Sequence, residues 1–328
     1  MSTSSHILVT GGAGFIGSHA CKALARRGLV PVAYDNLSRG HRDLVKFGPL
    51  EVGELADRAR LRAVLDKYQP AAVMHFAALA YVGESIEQPE RYHSNNVGGS
   101  AGLLDALRDH GPLPFVFSST CATDGVPKQV PITEDHPQQP INPYGDTKLE
   151  VEGMLRDMAR THGLPWIALR YFNAAGSDPD GEIGEVHDPE THLIPLVLMA
   201  ARDRGTAKIF GDDYDTPDGT CVRDYVHVAD IADAHLRALD HLRKGGESMP
   251  LNLANARGYS VKEVIAACER VSGRTIAREV APRRPGDPAT LIGSAERAHK
   301  VLGWTPQRSA LETQIADSWR WLSSRGQP

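Results

Sequence analysis

Short apolar runs alternate with amphipathic stretches through the first half of the chain. His6-Ile-Leu-Val-Thr10, Leu29–Tyr34, Ala71–Phe76, Phe115–Phe117 and Pro165–Arg170 are largely apolar and bounded by glycine, proline or polar residues. Runs that are apolar on both faces suit strands buried inside a parallel sheet. Between them, Ile16–Arg27, Asp57–Tyr68 and Gly99–His110 read as helices. Strand and helix in alternation predict βαβ units, hence an α/β fold with a doubly wound parallel sheet. After Asn173 the pattern changes. Residues 174–190 and 211–219 are rich in Gly, Pro and Asp and read as loops. Val228, Ile231, Ala232, His235, Leu239 and Leu242 then recur at helical spacing. We expect a nucleotide-binding domain over 1–173 and a smaller mixed α/β C-terminal substrate domain over 174–328. The boundary is soft, and the chain is free to cross it. No internal repeat or low-complexity segment interrupts the pattern.

Composition narrows the function classes. A length of 328 residues suits about two domains. Lys+Arg 36 against Asp+Glu 41 leaves a net charge of −5, without the basic excess of a nucleic-acid binder. Cys21, Cys121, Cys221 and Cys268 form no C-x-x-C pair, and so few cysteines suit a reducing compartment. Met1–His6 shows neither a basic n-region nor an apolar h-region. The longest apolar stretch, Ala71–Val82, is broken by His75 and too short to span a bilayer. A cytoplasmic protein with no membrane and no nucleic-acid partner is expected.

Thr10-Gly11-Gly12-Ala13-Gly14-Phe15-Ile16-Gly17 follows the first predicted strand and opens a helix. Glycine there permits a tight turn and close approach to a pyrophosphate, which the free N–H groups of a helix N-terminus attract. Asp35 ends the second strand, 18 residues past Gly17. A carboxylate there accepts from a ribose 2′-OH and repels a 2′-phosphate, so NAD is expected rather than NADP. A lone glycine triplet is a plain turn in many chains; strand, helix and acid together make a Rossmann site.

Tyr144-Gly-Asp-Thr-Lys148 follows Pro143, a residue suited to a helix start. Tyr144 and Lys148 then share one helix face. A surface Tyr–Lys pair is the bland alternative. The chemical reading is a phenolate base supported by an ammonium. Lowering a phenol from about 10 to about 7 takes about 4 kcal/mol. One ammonium at roughly 4–6 Å supplies about 3–4 kcal/mol, while desolvation opposes it. A second positive charge, such as an oxidised nicotinamide, would help. Ser118-Ser-Thr120 ends the fourth strand, where ligands bind in doubly wound sheets.

Thr10–Gly17, His75-Phe-Ala-Ala78, Asn95-Asn-Val97, Ser118-Ser-Thr120, Tyr144-Gly-Asp-Thr-Lys148, Arg170-Tyr-Phe-Asn173 and Arg223-Asp-Tyr-Val-His227 resemble the extended short-chain dehydrogenase/reductases. Val82-Gly-Glu-Ser85, Gly211–Tyr214, Asp218–Tyr225 and Ala281–Asp287 resemble the UDP-sugar 4-epimerase branch of that family. The resemblance spans nearly the whole chain. It implies a cytoplasmic homodimer with firmly held NAD that interconverts UDP-glucose and UDP-galactose through a transient 4-keto sugar. Another UDP-sugar, UDP-N-acetylglucosamine or a UDP-pentose, stays open as the substrate.

The resemblance also implies roles. Tyr144 would take the O4 proton, Lys148 would hold the ribose and lower the tyrosine pKa, and Thr120 would bond O4. The cofactor would lie on Gly11, Gly14, Phe15, Ile16 and Gly17, then against Asp35, Asn36, Glu54 and Leu55. Phe76, Ala77, Ala78, Asn95, Ser118 and Tyr171 would complete its site with Tyr144 and Lys148. The UDP-sugar would meet Thr120, Tyr144, Phe172, Asn173, His192 and Leu193, then Arg223, Arg284 and Asp287. Leu291 would border the sugar C2 substituent.

Three positions depart from the family pattern. Ala80 replaces a lysine that contacts the cofactor pyrophosphate, and His192 replaces an asparagine at the nucleotide. Asp124 replaces a tyrosine, and the Asp124-Gly125 turn is expected to direct its carboxylate to the rim.

Rival readings fit less well. Gly98-Gly-Ser100-Ala-Gly102 matches a nucleophile elbow, but no buried strand precedes it, so Ser100 reads as a helix start. Asp212–Gly219 is acidic, yet Arg223 stands where a calcium loop needs its glutamate. Cys121-Ala122 stands where the related dehydratases carry Asp-Glu, and Cys121 reads as a packing residue. His187 and His192 have acids nearby, but histidines in a polar loop are ordinarily solvated, so no metal is expected. A non-catalytic NAD-binding regulator is permitted by the fold alone.

Overall fold

Strands buried on both faces need partners on both edges, and the apolar runs supply them. The computed structural model describes residues 5–284 and 286–325; residues 1–4, 285 and 326–328 lie outside the described set. That set omits four of the six residues Met1–His6 and Pro285 of the arginine-rich segment.

The strands in chain order are β1 (His6–Thr10), β2 (Val30–Asp35), β3 (Leu50–Val52), β4 (Val73–His75), β5 (Phe115–Thr120), β6 (Trp166–Tyr171), β7 (Asn173–Ala175), β8 (Thr206–Phe210), β9 (Val222–His227), β10 (Met249–Leu253), β11 (Gly258–Ser260), β12 (Ala277–Ala281) and β13 (Thr290–Leu291). A 7-stranded parallel sheet has the order β10-β6-β5-β4-β1-β2-β3. Its strand order reverses at β1/β4, the place where doubly wound folds bind ligands. Every residue of β4, β5 and β6 is buried, as continuous apolar runs require.

Helices Phe15–Arg26, Arg58–Tyr68, Gly99–His110 and Pro143–His162 cover the sheet. Ile7, Val9, Leu24, Val116 and Ile167 pack in the core on one face, and Leu8, Val32, Leu61, Phe117 and Leu155 in the core on the other. β3 escaped the apolar reading because it is a short edge strand. Its central Glu51 is held by Lys67, Tyr68 and Arg60 rather than by apolar neighbours.

The second half does not stay apart. Helix Val228–Arg243 buries Ile231, Ala234 and Leu239 in the same core as β1 and β6, and β10 pairs with β6. The remainder builds a 4-stranded sheet around β9, with β7, β11 and β13 as its partners, and a parallel β8–β12 pair. Helices Leu193–Asp203, Val261–Ser272 and Leu311–Ser324 close over a third core. Among the described residues no helix is long and apolar enough to cross a membrane.

Candidate active site

The glycine turn after β1 is shaped by its close approaches. Gly11 has φ +72°, and a Cβ there would lie 2.6 Å from the backbone N of Ala77. At Gly17 a Cβ would lie 2.1 Å from the carbonyl of Gly11, so helix Phe15–Arg26 can start this close only on glycine. That helix begins at Gly14 with no side-chain cap, which leaves the N-terminal dipole open to an anion.

Asp35 ends β2, 7 % exposed. Its Oδ2 accepts from Ala13 N at 3.0 Å and its Oδ1 from Leu37 N at 2.8 Å. Each oxygen keeps a further lone pair for a hydroxyl. Asn36 Nδ2 donates to both oxygens of Glu54, at 3.1 and 3.0 Å, and Leu55 is buried beside them. After β4, Phe76 packs on the His235 ring, 4.6 Å between centroids, ahead of Ala77 and Ala78. Asn95 donates to Asn96 at 2.9 Å, and Asn96 in turn holds Leu79 and Thr147. Ala80 is exposed, so nothing in its place supplies a buried cation.

The carboxyl ends of β5 and β6 carry the chemistry. Asn142 caps helix Pro143–His162 by accepting from Gly145 N at 2.9 Å, with Pro143 in the first turn. That start aims Tyr144 and Lys148 back at β5. Lys148 Nζ donates to Ser118 O at 2.8 Å and lies 5.8 Å from the Tyr144 ring centre. The Thr120 hydroxyl bonds the Tyr144 phenol, and the Ser118 hydroxyl bonds the Tyr171 phenol. Register pairs Ser118 with Leu169 and Thr120 with Tyr171, which brings these groups to one edge. Burial pushes Tyr144 up to about 12, against the pull of its Thr120 bond. Burial also pulls Lys148 down to about 7.

The second half faces this edge with cations. Arg223 pairs with Asp287 and donates to Val222 O. The Arg284 guanidinium lies 4.2 Å from the Phe210 ring centre. Asn173 donates to Asp224 O at 2.9 Å. Leu291 stands beside Arg223 in register and packs on the cluster of Ile132, Phe172 and Ala254. Leu193 begins its helix against the third core. His192 turns Nδ1 to Glu185 and Glu190, at 2.8 and 3.1 Å. His187 is not solvated: its ring lies edge-on to Phe15 and Tyr81.

One expectation is overturned. Asp124 is 1 % exposed, not at the rim. The turn Cys121–Thr123 and the Asp124 N bond to Cys121 O tuck the side chain under β5, near Arg170 and Glu152. Burial first, then Glu152 and Glu134, push it up to about 7 against the pull of Arg170. The buried pair itself, Arg170 Nε and Nη2 on Glu152 at 2.8 and 2.6 Å, was also missed. It braces β5 through Ser119, which donates to Glu152 at 2.7 Å. Its signal was an arginine closing an otherwise apolar strand.

Packing answers two of the rival readings. Ser100 donates to Asn96 O at 2.5 Å and bonds His75, which burial holds down to about 3. Ser100 is thus a helix brace. Cys121 is pushed up to about 12 by burial and is no thiolate.

These parts have solved counterparts. A model of the NAD dependent epimerase/dehydratase family matches residues 7–254, and the chain belongs to that family. It is 52% identical over 322 residues to a UDP-glucose 4-epimerase of Rhizobium leguminosarum bv. trifolii, covering 98% of each. The UDP-glucose 4-epimerase of Brucella ovis, solved in complex with NAD, is 50% identical with a TM-score of 0.93, covering 96% of this chain and 97% of that one. That of Stenotrophomonas maltophila, with bound NAD and formylated UDP-arabinopyranose, gives 0.94 at 39% identity, covering 97% and 98%.

Proposed function

We infer that this chain interconverts UDP-glucose and UDP-galactose by reversible inversion at C4, with NAD as resident cofactor. The observation that carries this reading is Tyr144, Thr120 and Lys148 on the same sheet edge as an uncapped glycine-rich helix start. The near-full-length identity to named UDP-glucose 4-epimerases supports the same reaction.

The residues fit the cofactor. The open helix start at Gly14 suits a pyrophosphate, with Phe15, Ile16 and Gly17 in its first turn. The spare lone pairs of Asp35 suit a ribose diol, and its charge opposes a 2′-phosphate. Asn36, Glu54 and Leu55 would flank the adenosine end, and Phe76, Ala77, Ala78, Asn95, Ser118 and Tyr171 the rest. Bound NAD supplies a reversible acceptor for the C4 hydride.

The protein supplies proton transfer and grip. Tyr144 would remove the O4 proton and later return it, Thr120 would orient O4, and Lys148 would stabilise the phenolate. Arg223 and Arg284 would meet the UDP pyrophosphate, where a planar guanidinium gives paired bonds. Asn173, Phe172, His192, Leu193 and Asp287 would frame the nucleotide. Residues 1–173 with the returning segment around β10 would serve the cofactor, and the rest of 174–328 the sugar nucleotide. We also take the chain as a cytoplasmic homodimer, as the resemblance implies; light scattering on an eluting peak tests the assembly.

The test is denaturant release of bound dinucleotide, then turnover of UDP-galactose coupled to UDP-glucose oxidation. The expected result is NAD and turnover. NAD without turnover on any UDP-hexose or UDP-pentose would make the chain a cofactor-binding regulator instead.

A further inference from the structure

Residues 176–192 run from β7 to helix Leu193–Asp203 without helix or strand. Near its end, Glu185, His187, Glu190 and His192 each turn one donor atom to a shared point, all within 4.8 Å of one another. We propose that these four side chains form a zinc site that fastens the loop at the start of helix Leu193–Asp203.

The spacing of the donors is the first argument. His192 Nδ1 lies 2.8 Å from Glu185 Oε1 and 3.1 Å from Glu190 Oε1. His187 Nδ1 lies 3.1 Å from Glu185 Oε1 and 3.6 Å from Glu190 Oε2. Four donors about 2.0–2.1 Å from a tetrahedral zinc stand about 3.3 Å apart, inside that spread.

Glu185 Oε1 and His187 Nδ1 are buried and make no hydrogen bond, although they approach each other closely. The Glu185 side chain is 6% exposed and that of Glu190 8%. Without a metal Glu185 Oε1 has only the two imidazoles as partners, and a cation at the shared point would take the place of the imidazole protons. His192, 45% exposed, leaves an entry path.

The supporting contacts hold the donors in place. Glu190 Oε1 accepts from Thr191 N at 2.7 Å and His192 N at 2.8 Å, which fixes its carboxylate. The His187 ring is wedged edge-on to Phe15 and Tyr81, with centroids 6.3 and 5.7 Å away. Two imidazoles with two carboxylates suit zinc, whereas magnesium and calcium prefer oxygen alone. A second cluster shows the contrast. Asp178, Asp180 and Glu182 also converge, but Lys22 Nζ already sits among them, 2.6, 2.8 and 2.5 Å away.

The site shares only His192 with the nucleotide frame proposed above and none of Tyr144, Lys148 or Thr120, so zinc content and the cobalt spectrum read it without reference to turnover. The test uses the full chain, stripped with a chelator and dialysed against limiting zinc, with metal read by mass spectrometry. We expect about one zinc per chain, a zinc-dependent rise in melting temperature, and a tetrahedral visible spectrum with cobalt(II). Glu182→Gln should keep the metal. His187→Ala and Glu185→Gln should each lower its occupancy by about tenfold or more, in keeping with loss of a ligand. Should His187→Ala fail to fold, Glu185→Gln and the cobalt spectrum of the parent still decide. No zinc on the parent above the level of the variants, or full zinc on both variants, would overturn the site and leave a cluster of ion pairs.

Discussion

Replacing Asp124 by asparagine should make this protein more stable in alkali and leave it unchanged in acid. Neither oxygen of Asp124 has a hydrogen-bond partner, and the residue is 1 % exposed. Arg170 faces it, but Glu152 already takes Nε and Nη2, and Glu134 adds a second negative neighbour. Burial and these acids raise the carboxyl from 3.8 to about 7. Three units correspond to about 4 kcal/mol. A raised acid pKa means that the fold favours the protonated form. Its stabilisation is therefore complete below about pH 4 and lost as pH rises through about 7. Asparagine keeps the shape and removes the titration. With an unfolding entropy of about 2.1 cal/mol/K per residue, 328 residues turn that energy into a shift of about 6 °C. Calorimetry of the cofactor-loaded protein from about pH 4 to about 8.5 should show the two melting curves diverging between the unfolded and folded pKa values and running parallel above about pH 7. Arg170 stays charged across this range in both chains, so the titrating difference centres on position 124. A variant that melts lower at the alkaline end would refute the reasoning. It would show an ionised Asp124 paired with the free Nη1 of Arg170.

Three further outcomes follow from the site. Tyr144→Phe should fold, keep its NAD and lose about 10²–10⁴-fold in kcat; near-normal turnover would remove the phenol from the chemistry. Asp35→Ala should narrow the preference for NAD over NADP in competition binding, while tightly bound NADP in the parent would sink the ribose assignment. If Leu291 borders the sugar C2 substituent as proposed, its apolar side chain offers an acetamido group no polar partner, so kcat/KM should favour the UDP-glucose pair over the N-acetylated pair. Leu291→Tyr should abolish the weaker activity and spare the stronger; equal efficiency on both in the parent would displace Leu291 from the gate.

Legibility followed burial and periodicity. The runs at β1, β5 and β6 were readable because a strand covered on both faces must be apolar throughout. The helix over Val228–Arg243 was readable because Val228, Ile231, Ala232, His235, Leu239 and Leu242 are all buried on it. Its destination was not: periodicity shows which face is buried, not that the face returns to the first sheet beside β1 and β6. Gly11, Gly17 and Asp35 were readable because turn sterics and a strand end leave a local mark. Asp124 was misjudged for the opposite reason. An Asp-Gly pair signals a turn, but not that the Cys121–Thr123 turn and the Asp124 N bond to Cys121 O carry the side chain under β5. The convergence of Glu185 and Glu190 on two histidines likewise depends on a loop path that carries no periodic signal.

The desolvated setting of half-buried Tyr144 and buried Lys148 bears on when the proposed base could act. At about 12, the phenol is some five units too high to serve as a base near neutrality, a deficit of about 7 kcal/mol. The ammonium 5.8 Å from the ring returns only about 3 kcal/mol at an effective dielectric near 20. Even that is discounted, because Lys148 itself is drawn down to about 7 and is charged only part of the time. The Thr120 bond is already counted in the raised value. So for Tyr144 to act as the proposed base, at least about 4 kcal/mol would have to come from a positive charge that these two residues do not provide. An oxidised nicotinamide carries such a charge and a reduced one does not. On the proposed mechanism, desolvation would make the base strong only in the state that is ready to accept hydride. That coupling follows from desolvation at Tyr144 and Lys148, and a more exposed Tyr–Lys pair on the same helix would lack it.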